Sequence, residues 1–487
     1  MEELVFLAFN CLEGKESITL LSANWYVTKN RNGGMLMGKT FTIKETQNMP
    51  PVVEPTMLAL TSIVSGLYVG TNLAMLHFLW MLINGSLMPH RGAVFPALQS
   101  TGIGEQAVRR AWKAFHSGVW QISELMVAWN QYMEEQQRWQ PRSYEGYGAV
   151  AVDTTPFWRP KLQGLKSKYY NSVAEKALPA VILGLVARIG EVANRRIALP
   201  CAILRVDPKD PSEAKLKKEI LDQVSRTLKA SDIMLVDAGF KIKSCLEAKV
   251  LRFLLRLAKN FTARRNYLRD TTGKKGNPPT KGDLVRPLAR KHKEKEIAAS
   301  EPDATFSWPI ETGKTITVQV WYNLVRPDVE PSPTADLFDV YAISDPRYDT
   351  PLLVATNVKL LAQTAHALYT DRWPVEQLPL AGKQMVGAHR QFVFAAETRH
   401  RLPELVILAG SILTGLAALH PTMSTGFWDR KPEPTPGRFR RALAGLPFPQ
   451  SYPLPTELRQ KASVTNHLPK GILAHRRSKP TVFAVST

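Results

Sequence analysis

The sequence predicts an α/β protein: a mixed five-stranded sheet with helices, interrupted by a β-rich insertion and preceded by a helical region. Three observations carry this. From Gly148 the apolar residues change from helical spacing to short strand-like runs, in the order strand, strand, strand, helix, strand, helix, strand. Two of those runs close on an acid, Asp153 in GAVAVDTTPF and Asp237 in SDIMLVDAGF. The helix that would complete the pattern arrives only at about residues 358–390, after an insertion of roughly 100 residues.

Taken in order, residues 1–145 read as mostly helical after a poorly patterned start through Pro51. Residues 57–88 are nearly uncharged and long enough for a bilayer. Thr61, Ser62, Ser65, Asn72, His77 and Asn84 interrupt them, as do three glycines, so two buried helices are expected there and no membrane span. In PALQSTGIGEQAVRRAWKAFHSG, Leu98, a turn at Thr101–Gly104, then Val108, Ala111, Trp112 and Phe115 give a helix-turn-helix near 95–117. Arg109, Arg110 and Lys113 would then face outward, where they could meet DNA.

Residues 146–258 form the first part of the expected sheet. Runs at 179–189 and 195–206 flank Gly-Glu-Val-Ala-Asn as a hairpin. Asp210, Pro211 and Glu213 read as the N-cap and first turn of a helix whose buried stripe is Leu216, Ile220, Leu221, Val224 and Leu228. A short helix at about 241–248 and the apolar run 250–258 follow. Residues 259–345 are read as a basic arm and a β-strand insertion, with KTITVQVWYNLV and ADLFDVYAIS as paired strands. Residues 346–428 would return to the sheet with the owed helix, and 429–487 read as a basic, proline-rich tail.

Composition bounds the partners. The 487 residues hold 63 Lys+Arg against 42 Asp+Glu, a formal net charge of +21. Residues 259–295 carry 12 basic residues against three acids, Arg264, Arg265, Lys274 and Lys275 among them; residues 429–487 carry 11 against three. An excess gathered in two stretches favours a polyanion, because each phosphate neutralised releases condensed counterions. Cys11, Cys201 and Cys245 follow no disulfide or zinc spacing, and MEELVFLAFN lacks a secretory pattern, so a reducing cytoplasm is expected.

The chemistry rests on Asp153, Asp237 and Glu376. If the first two end parallel neighbouring strands and the third reaches in from the last helix, their oxygens suit magnesium, a hard cation. Two such ions can activate an attacking oxygen and stabilise the leaving one at phosphorus. Asp232 starts its strand and Asp207 precedes a proline, so Asp237 is the better second acid. Glu376 sits within Tyr369-x2-Arg372-x3-Glu376-x6-Lys383. At about 100° per residue, those four share one face of a continuous helix. Pro374 and Pro379 lie inside the spacing, and Pro379 should bend the axis.

These residues resemble the bacterial DDE cut-and-paste transposases of insertion sequences, in particular the group with the Tyr-x2-Arg-x3-Glu-x6-Lys motif. The likeness covers about residues 90–425 and rests on VAVDTTP, VDAGF and the four-residue spacing. It implies an RNase H-like catalytic domain and a helical N-terminal DNA-binding domain. It also implies two Mg2+ ions (Mn2+ can substitute) at Asp153, Asp237 and Glu376, and DNA contacts from Tyr369, Arg372 and Lys383. The partners implied are double-stranded DNA, as terminal inverted repeats and target, with a homodimer on paired ends, associated with the nucleoid and not with a membrane. Relatives place a base-stacking tryptophan shortly before the motif; here DPRYDTPLLVATN offers Tyr348, and Trp308 and Trp321 lie further upstream. Trp321 is the one expected to contact DNA; the other reading of both tryptophans is as core residues of the insertion. A transposase-derived DNA-binding protein without catalysis is the alternative.

Overall fold

The computed structural model describes residues 6–10, 17–29, 35–43, 50–207, 211–266, 281–292, 295–311, 313–424 and 426–458. Lys274, Lys275 and the tail beyond residue 458 lie outside the described residues. The chain divides into two compact units, Met1–Thr56 and Met57–Thr487. The first holds an antiparallel meander of β1 (Phe6–Asn10), β2 (Ser17–Lys29) and β3 (Met35–Ile43). The sequence reading found no pattern there.

α1 (Val53–Ser65) is followed by α2 (Thr71–Ile83), α3 (Val94–Gln99), α4 (Glu105–Ser117) and α5 (Ile122–Glu135). α2 is buried from Asn72 to Ile83, which matches its lack of charge. Strands then begin: β4 (Gln140–Pro141), β5 (Ser143–Tyr144), β6 (Tyr147–Trp158), β7 (Lys168–Asn171), β8 (Lys176–Val192) and β9 (Arg195–Arg205). β8 and β9 turn over Ala193 and Asn194, both at positive φ (48° and 63°). That is the geometry a two-residue hairpin needs, and it shortens the connection expected from the sequence.

α6 (Glu213–Thr227), β10 (Asp232–Val236), α7 (Ile242–Glu247) and β11 (Phe253–Arg256) complete the first stretch. α6 starts later than expected: Ser212 is its cap, its hydroxyl accepting from the Lys215 amide at 3.4 Å. The expected cap, Asp210, lies outside the described residues. The insertion follows as β12 (Ala263–Arg265), β13 (Leu284–Val285), β14 (Arg290–His292), β15 (Lys295–Ile297), β16 (Ala304–Pro309), β17 (Thr315–Val325), β18 (Phe338–Ser344) and β19 (Leu352–Thr356). The chain closes with α8 (Ala362–Thr370), α9 (Pro374–Met385), α10 (Thr398–Leu419) and α11 (Pro436–Leu443).

One large mixed sheet organises the second unit. β9, β8 and β6 run antiparallel to one another, β10 lies parallel to β6, and β11 parallel to β10. The insertion strands do not fold apart. β19 joins β11 antiparallel, and β18, β17 and β12 continue outward from it. Both faces are covered, as a sheet with parallel members requires. On one face Val150, Val152, Met234 and Val236 pack against Leu216, Ile220 and Val224 of α6. α9 and α10 pack on β6, β8 and β9.

α10 also packs on α2, α4 and α5, so the N-terminal helices and the sheet share it as a common core element. Trp129 Nε1 donates to Ser411 Oγ at 2.9 Å, and Arg401 donates to the carbonyls of Phe115 and Gly118. α10 is the one helix among the described residues long and apolar enough to cross a membrane, and 94% of its apolar window is buried inside the protein. Residues 429–458, the start of the basic, proline-rich tail, are docked as well. Phe448 is buried beside His77 and Trp80, and its amide donates to Thr101 O at 2.7 Å.

Candidate active site

β10 gives the site its position. In the parallel pair, Val236 stands opposite Val152, so Asp237 and Asp153 are the next residues on neighbouring strands. β10 ends there. β6 does not: it runs on to Trp158, paired only with β8. Asp153 is therefore mid-strand, at the point where β6 loses its neighbour, and not at a strand end as the sequence suggested. Alternation with Ala149 and Ala151 turns its side chain toward α9.

The expected single helix for Tyr369, Arg372, Glu376 and Lys383 is broken. α8 ends at Thr370 and α9 begins at Pro374: proline has no amide to donate to Thr370, and the link 371–373 is held by three-residue turns such as Arg372 N to Tyr369 O, with Trp373 still near helical dihedrals (φ −52°, ψ −39°). Tyr369 lies on α8, Arg372 in the link, and Glu376 and Lys383 on α9. The link is tied down by Asp371. Its carboxylate accepts from Arg142 Nε at 2.7 Å and the Tyr144 hydroxyl at 2.8 Å, and it pairs with Arg196 at 3.4 Å.

The four residues still turn toward the acids. The Tyr369 hydroxyl donates to Asp237 Oδ1 at 3.1 Å. Arg372 Nη2 donates to Glu376 Oε1 at 2.5 Å, and its guanidinium lies over the Tyr369 ring. Arg372 is buried, and its Nε and Nη1 have no hydrogen-bond partner. Lys383 Nζ donates to Thr155 Oγ1 at 2.9 Å, two residues beyond Asp153, and stands 4.9 Å from the Phe157 ring centre.

Electrostatics bind the group together. Burial pushes the Asp153 carboxyl up to about 6; the charges of Glu376 and Asp237 act in the same direction, against the Thr154 amide and Arg372. Asp237 moves the other way. Burial would raise it, but the Ala238 amide, Arg372, Arg256 and the Tyr369 hydroxyl outweigh that and hold it low. Burial lowers Lys383 to about 8, with Asp153 opposing. Burial lifts the Tyr369 phenol to about 12, with Asp237 adding.

Glu376 is engaged by Arg372, and among the described residues no group of three or more His, Cys, Asp or Glu is arranged to hold a metal ion. The donor chemistry nevertheless suits a hard divalent cation. Three carboxylates share one field, two of them at adjacent positions of neighbouring strands, and a buried arginine with two unpartnered nitrogens supplies positive charge beside them. Completing the set requires Glu376 to leave Arg372.

Some residues went unmarked in the sequence. The Tyr169 hydroxyl on β7 lies 3.4 Å from Thr154 Oγ1 and feels the charges of Asp153 and Asp237. Arg256, at the end of β11, reaches Asp237 Oδ1 at 3.4 Å. Neither carries a motif; only the pairing of β7 with β8 and of β10 with β11 brings them in. A cavity of about 560 Å³ opens beside Tyr369 and Arg372, lined also by Tyr348, His366 and Trp373.

Other expected contacts fall elsewhere. Trp321 is 0% exposed, with its Nε1 donating to Glu301 O at 2.8 Å, so it offers no face to a base. This corrects the DNA contact expected of Trp321: it lies on the face of β17 opposite to Ile316, Val318 and Val320, stands across from Val340 of β18, and packs into the core with Leu324, Phe338 and Ala342. Arg264 and Arg265 belong to β12, not to a free arm; Arg265 forms a two-pronged pair with Asp303 at 2.6 and 2.7 Å, and Arg264 donates to Gly282 O. α3, a turn and α4 occupy the expected helix-turn-helix, although α3 has only six residues. Lys113 and Arg109 are exposed, the latter paired with Glu105 at 2.6 Å, and Arg110 is half-buried. No family model matches the chain, and no curated protein matches it either.

Proposed function

We propose that this protein is a Mg2+-dependent DNA strand-cleaving and strand-transferring enzyme, a DDE transposase acting on the inverted-repeat ends of its own element. One observation carries the reading: Asp153 and Asp237 occupy adjacent positions on parallel neighbours, with Glu376 close enough to raise Asp153. The strand order β9-β8-β6-β10-β11, with a meander and two parallel additions, supports an RNase H-like core. The net charge of +21 supports a nucleic-acid partner.

In this reading Asp153, Asp237 and Glu376 would hold two Mg2+ ions, which when bound supply charge neutralisation at the scissile phosphate and an activated water. The chain's own residues do the rest. Tyr369 fixes Asp237 by its hydroxyl, so one carboxylate rotamer is set before substrate arrives. Arg372, with two free nitrogens, is able to take a phosphate once Glu376 turns away. Lys383, made a weaker base by burial, holds its proton more firmly when a phosphate approaches Thr155. The cavity with Tyr348 and Trp373 offers aromatic faces near the cut, the role the sequence assigned to Trp321. A homodimer on paired ends fits the need to join two ends together.

The pairing of Glu376 with Arg372 favours a second reading, a transposase-derived DNA-binding protein without catalysis. The test is cleavage and strand transfer on duplexes made from the DNA flanking the gene, with Mg2+ and a plasmid target. Activity lost in Asp153→Asn, Asp237→Asn and Glu376→Gln, with binding of the same duplex retained, supports the enzyme. Binding without cleavage in the unaltered protein leaves the second reading.

A further inference from the structure

Beyond Asp153 the free end of β6 carries a surface that the acid cluster does not use. Arg159 follows β6 directly and is buried; its Nη1 donates to Gln391 Oε1 at 2.8 Å and its Nη2 to Val393 O at 2.9 Å. The loop after α9 is thus pinned on its inner side at Gln391 and Val393, which alternate with Phe392 and Phe394. Those two phenylalanines are 56% and 63% exposed. The Phe392 amide donates to Gly92 O, and Gly92 (φ 86°) is approached so closely by Arg390 O that a Cβ there would meet it at 2.0 Å. Two aromatic rings are therefore held outward on a rigid loop, next to an exposed Arg390.

On the other side of Arg159 the chain enters the β7–β8 hairpin. Lys161, Lys166, Lys168 and Lys176 are all exposed or half-exposed there, against one acid, Glu175, in residues 161–176. Tyr169 points inward to Thr154, beside Asp153, while Tyr170 is 60% exposed. Exposed aromatics interleaved with unbalanced positive charge are a costly surface to leave in water. They match the way unpaired strands are held, by base stacking over rings along a basic track.

We propose that this end of the sheet is a path for single-stranded DNA. Tyr170, Phe392 and Phe394 stack unpaired bases, and the hairpin lysines with Arg390 follow the phosphates of a strand passing Asp153. The choice of DNA rests on the function proposed above; the preference for an unpaired strand rests on the aromatics. Duplex DNA hides its base faces and would engage the lysines alone.

The full-length protein, without divalent cation, is titrated into a fluorescent oligothymidylate of about 30 nucleotides and into a mixed-sequence duplex of the same length, by anisotropy. Tyr170→Ala/Phe392→Ala/Phe394→Ala should lose roughly tenfold or more of its affinity for the single strand and hold its duplex affinity within about twofold. Lys166→Glu/Lys168→Glu/Lys176→Glu should weaken both and flatten the salt dependence. All six side chains reach the surface, so melting curves should match the unaltered protein. An equal loss on both DNAs assigns the surface to duplex backbone and overturns the path, as does an unchanged single-strand affinity. Because no cleavage is read, failure of the acid-cluster test would leave this result standing, and the reverse also holds.

Discussion

The two ends of β10 carry the same residue type five positions apart and treat it differently. Asp232, at the start, is buried, pairs with Arg188 at 3.2 Å and accepts the Lys229 amide at 3.1 Å. Its carboxylate is closed off inside the protein. Asp237, just past the end, is only half-buried and shares Tyr369 and Arg256 with a field that includes Asp153, Glu376 and a partly unpartnered Arg372. One acid holds the strand in place. The other is held ionised, against burial, by the Ala238 amide, Arg372, Arg256 and Tyr369 while its neighbour Asp153 is raised, a pairing of opposite shifts typical of functional sites.

The largest effect that would sharpen this contrast is on activity. If the proposed function holds, Asp237→Asn should lower strand cleavage by roughly a thousandfold or more, because it removes one of the carboxylates that would hold the metal. Asp232→Asn should leave cleavage within a few-fold and cost about 1–3 kcal/mol of stability in a denaturant titration. Equal activity losses in the two would break the distinction.

Next in size is Asp371→Ala. It removes the buried carboxylate shared by Arg142, Tyr144 and Arg196, while Arg142 keeps Glu191, and should cost about 2–3 kcal/mol by the same titration. Cleavage should fall further than the remaining folded fraction accounts for, since the α8–α9 link positions Arg372.

Asp153→Asn gives a smaller effect of opposite sign. The folded-state value of Asp153 is raised to about 6, so the native protein binds the proton more tightly than the unfolded chain. Its ionisation therefore costs stability as pH rises from about 4 to 6, by roughly 1.4 kcal/mol for each pH unit crossed in that window. The asparagine variant should melt higher than the unaltered protein at pH 7 and lose that advantage below pH 4. A lower melting temperature at pH 7 would contradict the assigned crowding.

The smallest effect concerns Lys383, lowered to about 8. Lys383→Gln should remove an alkaline fall in cleavage above pH 8, measured as the pH profile, with little change in melting temperature.

Much of the sheet was legible in the sequence. The succession of strands and helices from β6 to β11 came from apolar runs, since a strand buried on both faces is a short uninterrupted apolar segment; that the insertion strands extend the same sheet beyond the five expected did not. Glu376 came from spacing, but the single-face argument behind it was wrong in geometry: Pro374 divides the helix, and the residues converge because Asp371 anchors the link. Asp371 itself was invisible, since its partners Arg142, Tyr144 and Arg196 come from distant strands. The inward turn of Trp321 required strand register, and Tyr169 a hairpin whose pairing no local pattern announced. The pairing of β2 with β3 had a signal that was overlooked: Asn32-Gly33-Gly34 lies between two runs rich in β-branched and aromatic residues, a hairpin pattern.

The insertion shares the backbone ladder of the strands that carry Asp153 and Asp237, through β19 on β11, and this has a practical consequence for anyone trimming the protein. Excising residues 259–345 would not remove an appendage. It would take β17 and β18 away from β19 and leave β19 as an outer strand with unpaired amides and carbonyls and a row of buried side chains, Leu353, Val354 and Ala355, newly wet. Such a rim recruits other chains. A shortened protein is therefore expected to sediment as large aggregates, even where the acids and their helix remain untouched.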